Sequence, residues 1–236
     1  MDSQRLMKQQ RYPRLRRQEI EYNLITMLIF SVLSNRFAPG VRRYAIPVFI
    51  FAGVIGVIIP PVGAVALLIG GAILWFFRDP SRQPSGPGIV APAEGRITVI
   101  RKEGEQIRIG IFLNVTDVHV ARAPIDGEVT QCTHREGAHR PAFMKDSTRN
   151  ERVDIAVTTS DGPAEISLIA GAVARRIHPY IDNGMSIDRA QRIGHIDFGS
   201  RVDVVLPPGY TADDLLITDG QKVRAGESIV ARKNNQ

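Results

Sequence analysis

Hydrophobic and polar residues divide the chain into two regions of different pattern. Residues 44–77 contain no charged side chain, are rich in Leu, Ile, Val, Ala and Gly, and carry Pro60 and Pro61 near the middle. Such a run is long for one membrane-spanning helix of about 20 residues and short for two with a turn. Because proline interrupts a helix, the pattern predicts a helical hairpin over residues 44–78 that enters one leaflet or barely crosses. A buried helical pair in a soluble protein is the alternative.

Basic residues surround this apolar run. Four arginines flank it directly: Arg42, Arg43, Arg78 and Arg82. Positive charge marks cytoplasmic flanks of membrane segments, so we expect the protein at the cell membrane with its remaining domain on the cytoplasmic side. The basic segment 1–43 suits anionic lipid headgroups. Within it, the short apolar stretch 24–33 predicts an interfacial helix.

The second region has the pattern of a β-rich domain. Residues 79–88, rich in Pro, Ser and Gly, form a predicted linker, and residues 89–236 form the predicted catalytic domain. Short Val- and Ile-rich runs alternate there with glycine-containing turns: 97–100, 107–113, 127–131, 153–158, 165–170, 193–198, 201–206 and 228–231. This spacing predicts a mainly β domain of the barrel-sandwich type. A single helical turn is expected within 182–192.

One motif near the end of the chain indicates a more specific fold and suggests a non-enzymatic function as an alternative. The segment Asp219-Gly220-Gln221-Lys222-Val223-Arg224-Ala225-Gly226-Glu227 resembles the turn of a lipoyl/biotinyl-type hammerhead, where two glycines flank a short strand. A membrane-tethered carrier of that fold would present a modifiable lysine. Lys145 is the candidate, although the polar run after it does not favour a tight hairpin.

Composition excludes several classes of function. Lys and Arg outnumber Asp and Glu by 30 to 24, giving a net charge of +6. Basic residues are not interleaved with aromatic ones, so no nucleic-acid partner is expected. The single cysteine, Cys132, can form neither an intramolecular disulfide nor a cysteine-rich metal site. The spacing of His134, His139 and His178 indicates no metal site, and none is predicted.

The strongest candidate for chemistry is Ser200. Gly199 and Ser200 interrupt two strand-like runs, and a glycine in a strand is locally unfavourable unless the backbone must bend. One use of such strain is an N→O acyl shift, in which the serine oxygen attacks the preceding carbonyl. Elimination from the resulting ester would release the upstream chain and leave a pyruvoyl group. A bulge or turn without chemistry is the alternative.

The wider sequence resembles the phosphatidylserine decarboxylases, in their short archaeal form. Phe198-Gly199-Ser200 followed by Arg201-Val202-Asp203-Val204 is similar to their processing site, where the wider family has Leu-Gly-Ser-Thr. Other similar segments follow in family order: Phe77-Arg78-Asp79-Pro80, Ala91-Pro92-Ala93-Glu94-Gly95, Phe112-Leu113, Val118-His119-Val120 to Arg122-Ala123-Pro124, and Asn150-Glu151-Arg152.

The resemblance implies a function and a set of partners. It implies self-cleavage between Gly199 and Ser200, a pyruvoyl cofactor derived from Ser200, and decarboxylation of phosphatidylserine to phosphatidylethanolamine through a Schiff base. The two fragments would stay together as a heterodimer, with further homo-oligomers expected. An archaetidylserine substrate for the same mechanism is the alternative, since nothing in the sequence reads the lipid tails.

Two departures from the longer family members affect the site. They use an Asp-His-Ser set for self-cleavage; Glu94 stands in place of that Asp, and Arg122 replaces the second histidine of their His-x-x-His pair, of which His119 is the first. His119 is the histidine predicted to transfer protons, since imidazole titrates near neutral pH. Either it serves both as the base for self-cleavage and as the proton donor in decarboxylation, or self-cleavage relies mainly on backbone strain. Arg122 is predicted to bind substrate, with an ion pair to Asp117 or Asp126 as the alternative.

His195 lies close to Ser200 in sequence but is a weaker candidate than His119. Five residues along a continuous strand place two side chains on opposite faces and about 16 Å apart. Only a bend at Gly199 would bring His195 and Ser200 together.

Overall fold

The structure is a computed structural model that describes residues 36–137, 150–171, 176–197 and 199–233. It contains an apolar helical hairpin followed by a strand-rich domain, as the sequence predicts. The predicted interfacial helix over 24–33 and the carrier candidate Lys145 lie outside the described residues.

The hairpin consists of α1 (Val41–Ile58) and α2 (Pro60–Phe76). Ile59 has φ −134° and ψ 82°, which breaks the helix directly before Pro60, and Pro60 then opens α2 at a position where its missing N–H costs nothing. The two helices approach closely at Gly56 and Gly63, because a Cβ on Gly63 would lie 2.3 Å from the Gly56 Cα. The interruption predicted at the prolines is therefore confirmed.

The outer surface of the hairpin is apolar. Most large side chains of both helices are exposed, with Val57 and Leu68 exposed by 87% and 75%. Among the described residues, α1 is the one helix long and apolar enough to cross a membrane. These exposed side chains disagree with a helical pair buried in a soluble core.

The described residues of the β domain form thirteen strands, all paired antiparallel. They are β1 (Ile89–Val90), β2 (Gly95–Glu103), β3 (Gln106–Leu113), β4 (Val120–Arg122), β5 (Gly127–Arg135), β6 (Arg152–Thr159), β7 (Gly162–Ala170), β8 (Ile177–Pro179), β9 (Ser186–Ile187), β10 (Arg192–Ile196), β11 (Ser200–Val205), β12 (Lys222–Val223) and β13 (Ile229–Ala231). The main sheet has the order β12-β2-β3-β11-β7-β6-β5-β9. A second sheet has the order β4-β10-β8, and β1 pairs with β13. The predicted β-rich class is confirmed.

Each of the eight predicted strands overlaps an observed one, but one local prediction was wrong. The helical turn expected within 182–192 is absent from that segment, which contains β9 and tight turns instead. The runs 193–198 and 201–206, predicted as separate, correspond to β10 and β11, which belong to different sheets. Burial on both faces explains β11, whose six residues are all buried.

The hammerhead motif folds as its glycines predict. Gly220 and Gly226 have φ values of +74° and +70°, which favour glycine, and β12 lies between them. β12 pairs with the start of β2, so this motif forms one edge of the main sheet.

The base of the hairpin packs directly on the β domain. Phe76 and Phe77 form an apolar cluster with Val118 and Val120, next to β4. Asp79, at the start of the predicted linker, is buried. The predicted linker 79–88 therefore contacts the β domain at its start. The bounds of the hairpin, linker and catalytic domain stay predictions.

Candidate active site

The Gly199–Ser200 peptide lies where the chain passes from one sheet to the other. Gly199 has φ +70°, a left-handed conformation that glycine adopts without a Cβ penalty. Ser200 then begins β11 between Leu113 of β3 and Ala170 of β7, and it is 0% exposed. Its Oγ has no hydrogen-bond partner among the described residues. A buried hydroxyl without a partner is uncommon in proteins and calls for an explanation.

His119, just before β4, reaches the same peptide. Its Nδ1–H donates to the Asp117 carbonyl oxygen at 2.9 Å, and its Nε2 accepts from the Gly199 N–H at 3.3 Å. A carbonyl can only accept and a backbone N–H can only donate. The two contacts therefore require a neutral imidazole with its proton on Nδ1 and a lone pair on Nε2.

The surroundings of His119 keep it neutral. Burial lowers its pKa to about 4, and the contacts with Asp117 oppose that effect only in part. The Phe76 ring covers the imidazole at a centroid distance of 4.4 Å. Near pH 7, His119 is thus a base next to the Gly199–Ser200 peptide.

Glu94 lies at the same end of the main sheet. It directly precedes β2, and Gly95 packs against Leu113, the β3 residue that pairs with Ser200. Two strand spacings therefore separate Glu94 from the strand of Ser200. Its carboxylate forms an ion pair with Arg82 beside an open cleft. The cleft is lined by Ser85, Glu94, Lys222, Arg224, Glu227 and Ser228.

Arg122 is held by groups of the protein. Its Nη1 donates to the Ala190 carbonyl at 2.9 Å, and its Nη2 donates to Asp79 Oδ1 at 2.6 Å and to the Pro80 carbonyl at 3.1 Å. Arg192 contacts the other oxygen of the same carboxylate at 2.5 Å. Burial lowers the pKa of Arg122, and Asp79 opposes this effect.

The ion-pair partners named in the alternative for Arg122 were wrong. Asp117 pairs with Lys222, and Asp126 accepts the backbone N–H of Arg189. Asp79, which the sequence analysis did not consider, takes their place. The substrate-binding role of Arg122 stays a prediction.

His195 belongs to a second polar cluster. Its Nδ1 lies 2.6 Å from the Tyr180 hydroxyl, and its ring stacks on that of His178. Asp197 completes the group, with its carboxylate 3.5 Å from His195 Nε2. Sequence reasoning missed this cluster, although the alternation of His195 and Asp197 along one strand was an available signal.

Comparison with known proteins identifies a family for most of the chain. The family model described as phosphatidylserine decarboxylase matches residues 69–231. A Halobacterium salinarum protein with the provisional name archaetidylserine decarboxylase proenzyme is 45% identical over 195 residues, which cover 82% of this chain and 97% of that protein.

Bacterial and methanogen relatives match in the same way. A phosphatidylserine decarboxylase proenzyme of Thermobifida fusca is 46% identical, over 72% of this chain and 77% of that protein. A Methanosarcina acetivorans protein, provisionally named an archaetidylserine decarboxylase proenzyme, is 41% identical over 68% of this chain and 74% of its own. The chain therefore belongs to the phosphatidylserine decarboxylase family and is a carboxy-lyase.

Proposed function

We propose that this protein is made as a proenzyme, cuts itself between Gly199 and Ser200, and decarboxylates the serine headgroup of a membrane phospholipid through a pyruvoyl group derived from Ser200. The observation that carries the proposal is the geometry of one peptide. The Ser200 hydroxyl is buried without a partner, and the adjoining Gly199 N–H bonds to the neutral His119. This arrangement supports Ser200 as the nucleophile and His119 as its base.

Self-cleavage would use these groups in the following steps. His119 Nε2 exchanges its hydrogen bond from the Gly199 N–H for the Ser200 hydroxyl proton, while the Ser200 oxygen attacks the Gly199 carbonyl carbon. The Gly199–Ser200 C–N bond then breaks, which leaves Gly199 joined to Ser200 through an ester. Loss of the Ser200 Cα proton expels the Gly199 carboxylate and leaves dehydroalanine. Addition of water and loss of ammonia convert that residue into the pyruvoyl group.

The surroundings of Ser200 suit this conversion. Gly199 has no side chain to block the attack, and apart from its chain neighbours no described residue has an atom within 4 Å of where its Cβ would be. The unpartnered Oγ gives up no hydrogen bond to the described residues when it reacts. The main-chain pairing of Ser200 with β3 and β7 holds the position rigidly.

Once formed, the pyruvoyl group supplies an electron sink for the amino-acid headgroup, as other covalent carbonyl cofactors do. The scissile C–C bond loses CO₂, and a proton must replace it on the same carbon. His119 is the group we assign to that proton transfer. Glu94 remains a candidate for assisting self-cleavage, and Arg122 for binding substrate.

The apolar hairpin supports a position of this chemistry at a membrane. Phe76, the last residue of α2, lies over the His119 ring, so the site adjoins the base of the apolar hairpin. Insertion of the hairpin into the cytoplasmic leaflet would hold the site near lipid headgroups, with basic flanks facing the cytoplasm. The site acts on the headgroup alone, so diacyl and diether serine lipids are both candidate substrates.

The names of the relatives refer to different lipids. The T. fusca protein is named for phosphatidylserine, and the H. salinarum protein, matched over almost its whole length, for archaetidylserine. The carrier alternative, which needed a modified Lys145, has no support from the family assignment.

An intact-mass measurement on the protein expressed with its hairpin tests the proposal. We expect fragments of residues 1–199 and 200–236 whose summed mass equals that of the chain with one water gained and one ammonia lost. Simple hydrolysis would add one water and lose nothing. Ser200→Ala should give a single intact chain without activity, whereas Ser186→Ala, at another serine that opens a strand, should cleave normally. An uncleaved and active wild-type chain would refute the proposal.

Activity against the two lipid classes tests the substrate. Vesicles that contain diacyl or diether serine lipid are compared for CO₂ release, with Ser200→Ala as the blank. Release from either lipid supports headgroup chemistry at Ser200. Release from neither by a fully cleaved protein would refute the assigned substrate while leaving self-cleavage intact.

A further inference from the structure

We propose that His178, His195 and Asp197 form a binding site for a divalent transition-metal ion of the zinc type. The topology brings the three together. His195 lies in β10, and Asp197 follows two residues later, so both side chains point to the same face. His178 in β8 is the direct cross-strand partner of His195. Two imidazoles and one carboxylate are a donor set that zinc and its neighbours in the first transition row accept.

The spacing of the donor atoms fits an ion better than direct hydrogen bonds. His195 Nε2 lies 3.5 Å from one Asp197 carboxylate oxygen, and His178 Nε2 lies 3.7 Å from the other. Both distances exceed the usual N–H···O range. Two ligands bound tetrahedrally to zinc at about 2.0–2.1 Å lie about 3.3 Å apart. The candidate donor atoms of all three residues fall within 4.8 Å of one another.

Two of these atoms are buried without a hydrogen-bond partner. His195 and Asp197 are 3% and 4% exposed, and neither His195 Nε2 nor Asp197 Oδ1 has such a partner among the described residues. A buried polar atom left unpaired costs about 1–3 kcal/mol. Both atoms face each other across the same small space, which a cation would fill.

Supporting contacts of the kind seen around metal ligands are already present. The other ring nitrogen of His195 lies 2.6 Å from the Tyr180 hydroxyl, and the Tyr44 hydroxyl donates to Asp197 Oδ2 at 3.0 Å. Such outer contacts orient ligands in metal sites. Gly40 leaves room for the His195 ring, since a Cβ there would lie 2.9 Å from His195 Nε2.

Binding requires one local rearrangement. The imidazole planes of His178 and His195 are 15° apart in a stack, so they cannot both aim their lone pairs at one ion in this geometry. His178 has a partly exposed side chain and can rotate, whereas His195 is fixed by burial. That exposure also gives an ion an access route and leaves room for a water ligand.

The site would fasten three parts of the fold. The ion joins β8 to the end of β10, and Tyr44 links Asp197 to α1 of the hairpin. Asp197 lies two residues before Gly199, so the ion holds the segment that would become a free carboxyl end.

Titration of Co²⁺ into chelator-treated full-length protein in detergent, without a polyhistidine tag, tests the proposal. We expect one equivalent to bind with visible absorption bands of a nitrogen- and oxygen-ligated ion, and Zn²⁺ to displace it. His178→Asn and Asp197→Asn should each weaken binding at least about tenfold. Gly40→Ala should weaken it as well, because the added methyl group approaches Nε2. His134→Ala, an exposed histidine paired with Glu151, should have no effect.

Folding and self-cleavage provide independent checks on the variants. His178→Asn removes a partly exposed ligand, so it should retain the wild-type circular dichroism spectrum and cleave normally while losing the metal. Absence of Co²⁺ binding to the wild type, or equal binding by His178→Asn and wild type, would overturn the proposal. Neither result depends on decarboxylation, so failure here is distinguishable from failure of the proposed function.

Discussion

The low pKa of His119 makes a sharp prediction about self-cleavage. Burial lowers this pKa from the ordinary value of 6.5 to about 4. At pH 5.5 an ordinary histidine would be neutral in only about one molecule in ten, whereas nearly all His119 side chains would be neutral. If His119 is the base, the cleavage rate at pH 5.5 should therefore stay close to its value at pH 7.5. Without the shift, it would fall about tenfold.

The assay follows newly made chains. Full-length protein is synthesised with a radiolabel in a cell-free system containing vesicles, shifted to each pH, and sampled for the 200–236 fragment. His119→Asn is the control for cleavage that does not use the imidazole. A wild-type profile with its midpoint near pH 6.5, or a His119→Asn variant that cleaves at the wild-type rate, would refute the reasoning.

Stability must be checked across the same range. Because the folded-state pKa is lowered, the unfolded chain binds a proton first as the pH falls through 6.5, and the folded state loses stability progressively towards pH 4. Circular dichroism at each pH separates this loss from a true change in cleavage rate.

Three further predictions concern a buried ion pair, the contact between the hairpin helices, and the backbone conformation at Gly199. Asp79→Ala leaves the buried Arg122 without its ion-pair partner and should lower the free energy of unfolding by about 3–5 kcal/mol, measured by chemical denaturation; an unchanged midpoint would contradict the buried pair. Gly63→Ala should force the two hairpin helices apart and lower the thermal midpoint in detergent, whereas Gly53→Ala, with open space around it, should not. Gly199→Ala places a side chain at φ +70° and costs about 1–2 kcal/mol, so self-cleavage in the pulse assay should slow about tenfold; a wild-type rate would argue against that backbone conformation.

Local patterns in the sequence predicted the elements well. Pro60 placed the hairpin turn, because proline acts on the residues next to it. Gly220 and Gly226 placed the hammerhead turns for the same reason. The longer strands followed from runs of β-branched residues. β4 (Val-Ala-Arg) and β8 (Ile-His-Pro) have only one β-branched residue each and leave no such pattern.

Contacts between distant segments were harder to predict. Asp79 pairs with Arg122 across 43 positions, and no local sequence feature of either residue predicts this pairing. The cluster of His178 and His195 depends on the pairing of β8 with β10, which only the folded topology reveals. Proximity of His119 to Gly199 was expected from the family resemblance rather than from spacing. The pKa of His119 likewise depends on how deeply the fold buries it.

The position of β11 has a consequence for the cleaved protein. Its six residues are paired with β3 on one side and β7 on the other. The fragment 200–236 would thus supply an interior strand of a sheet whose other strands mostly belong to the fragment 1–199. Neither fragment can form the complete sheet without the other. The mature protein would therefore resemble a split protein whose two parts fold together as one chain before cleavage separates them. Dissociation would require unfolding, and separately synthesised halves should not reassemble readily.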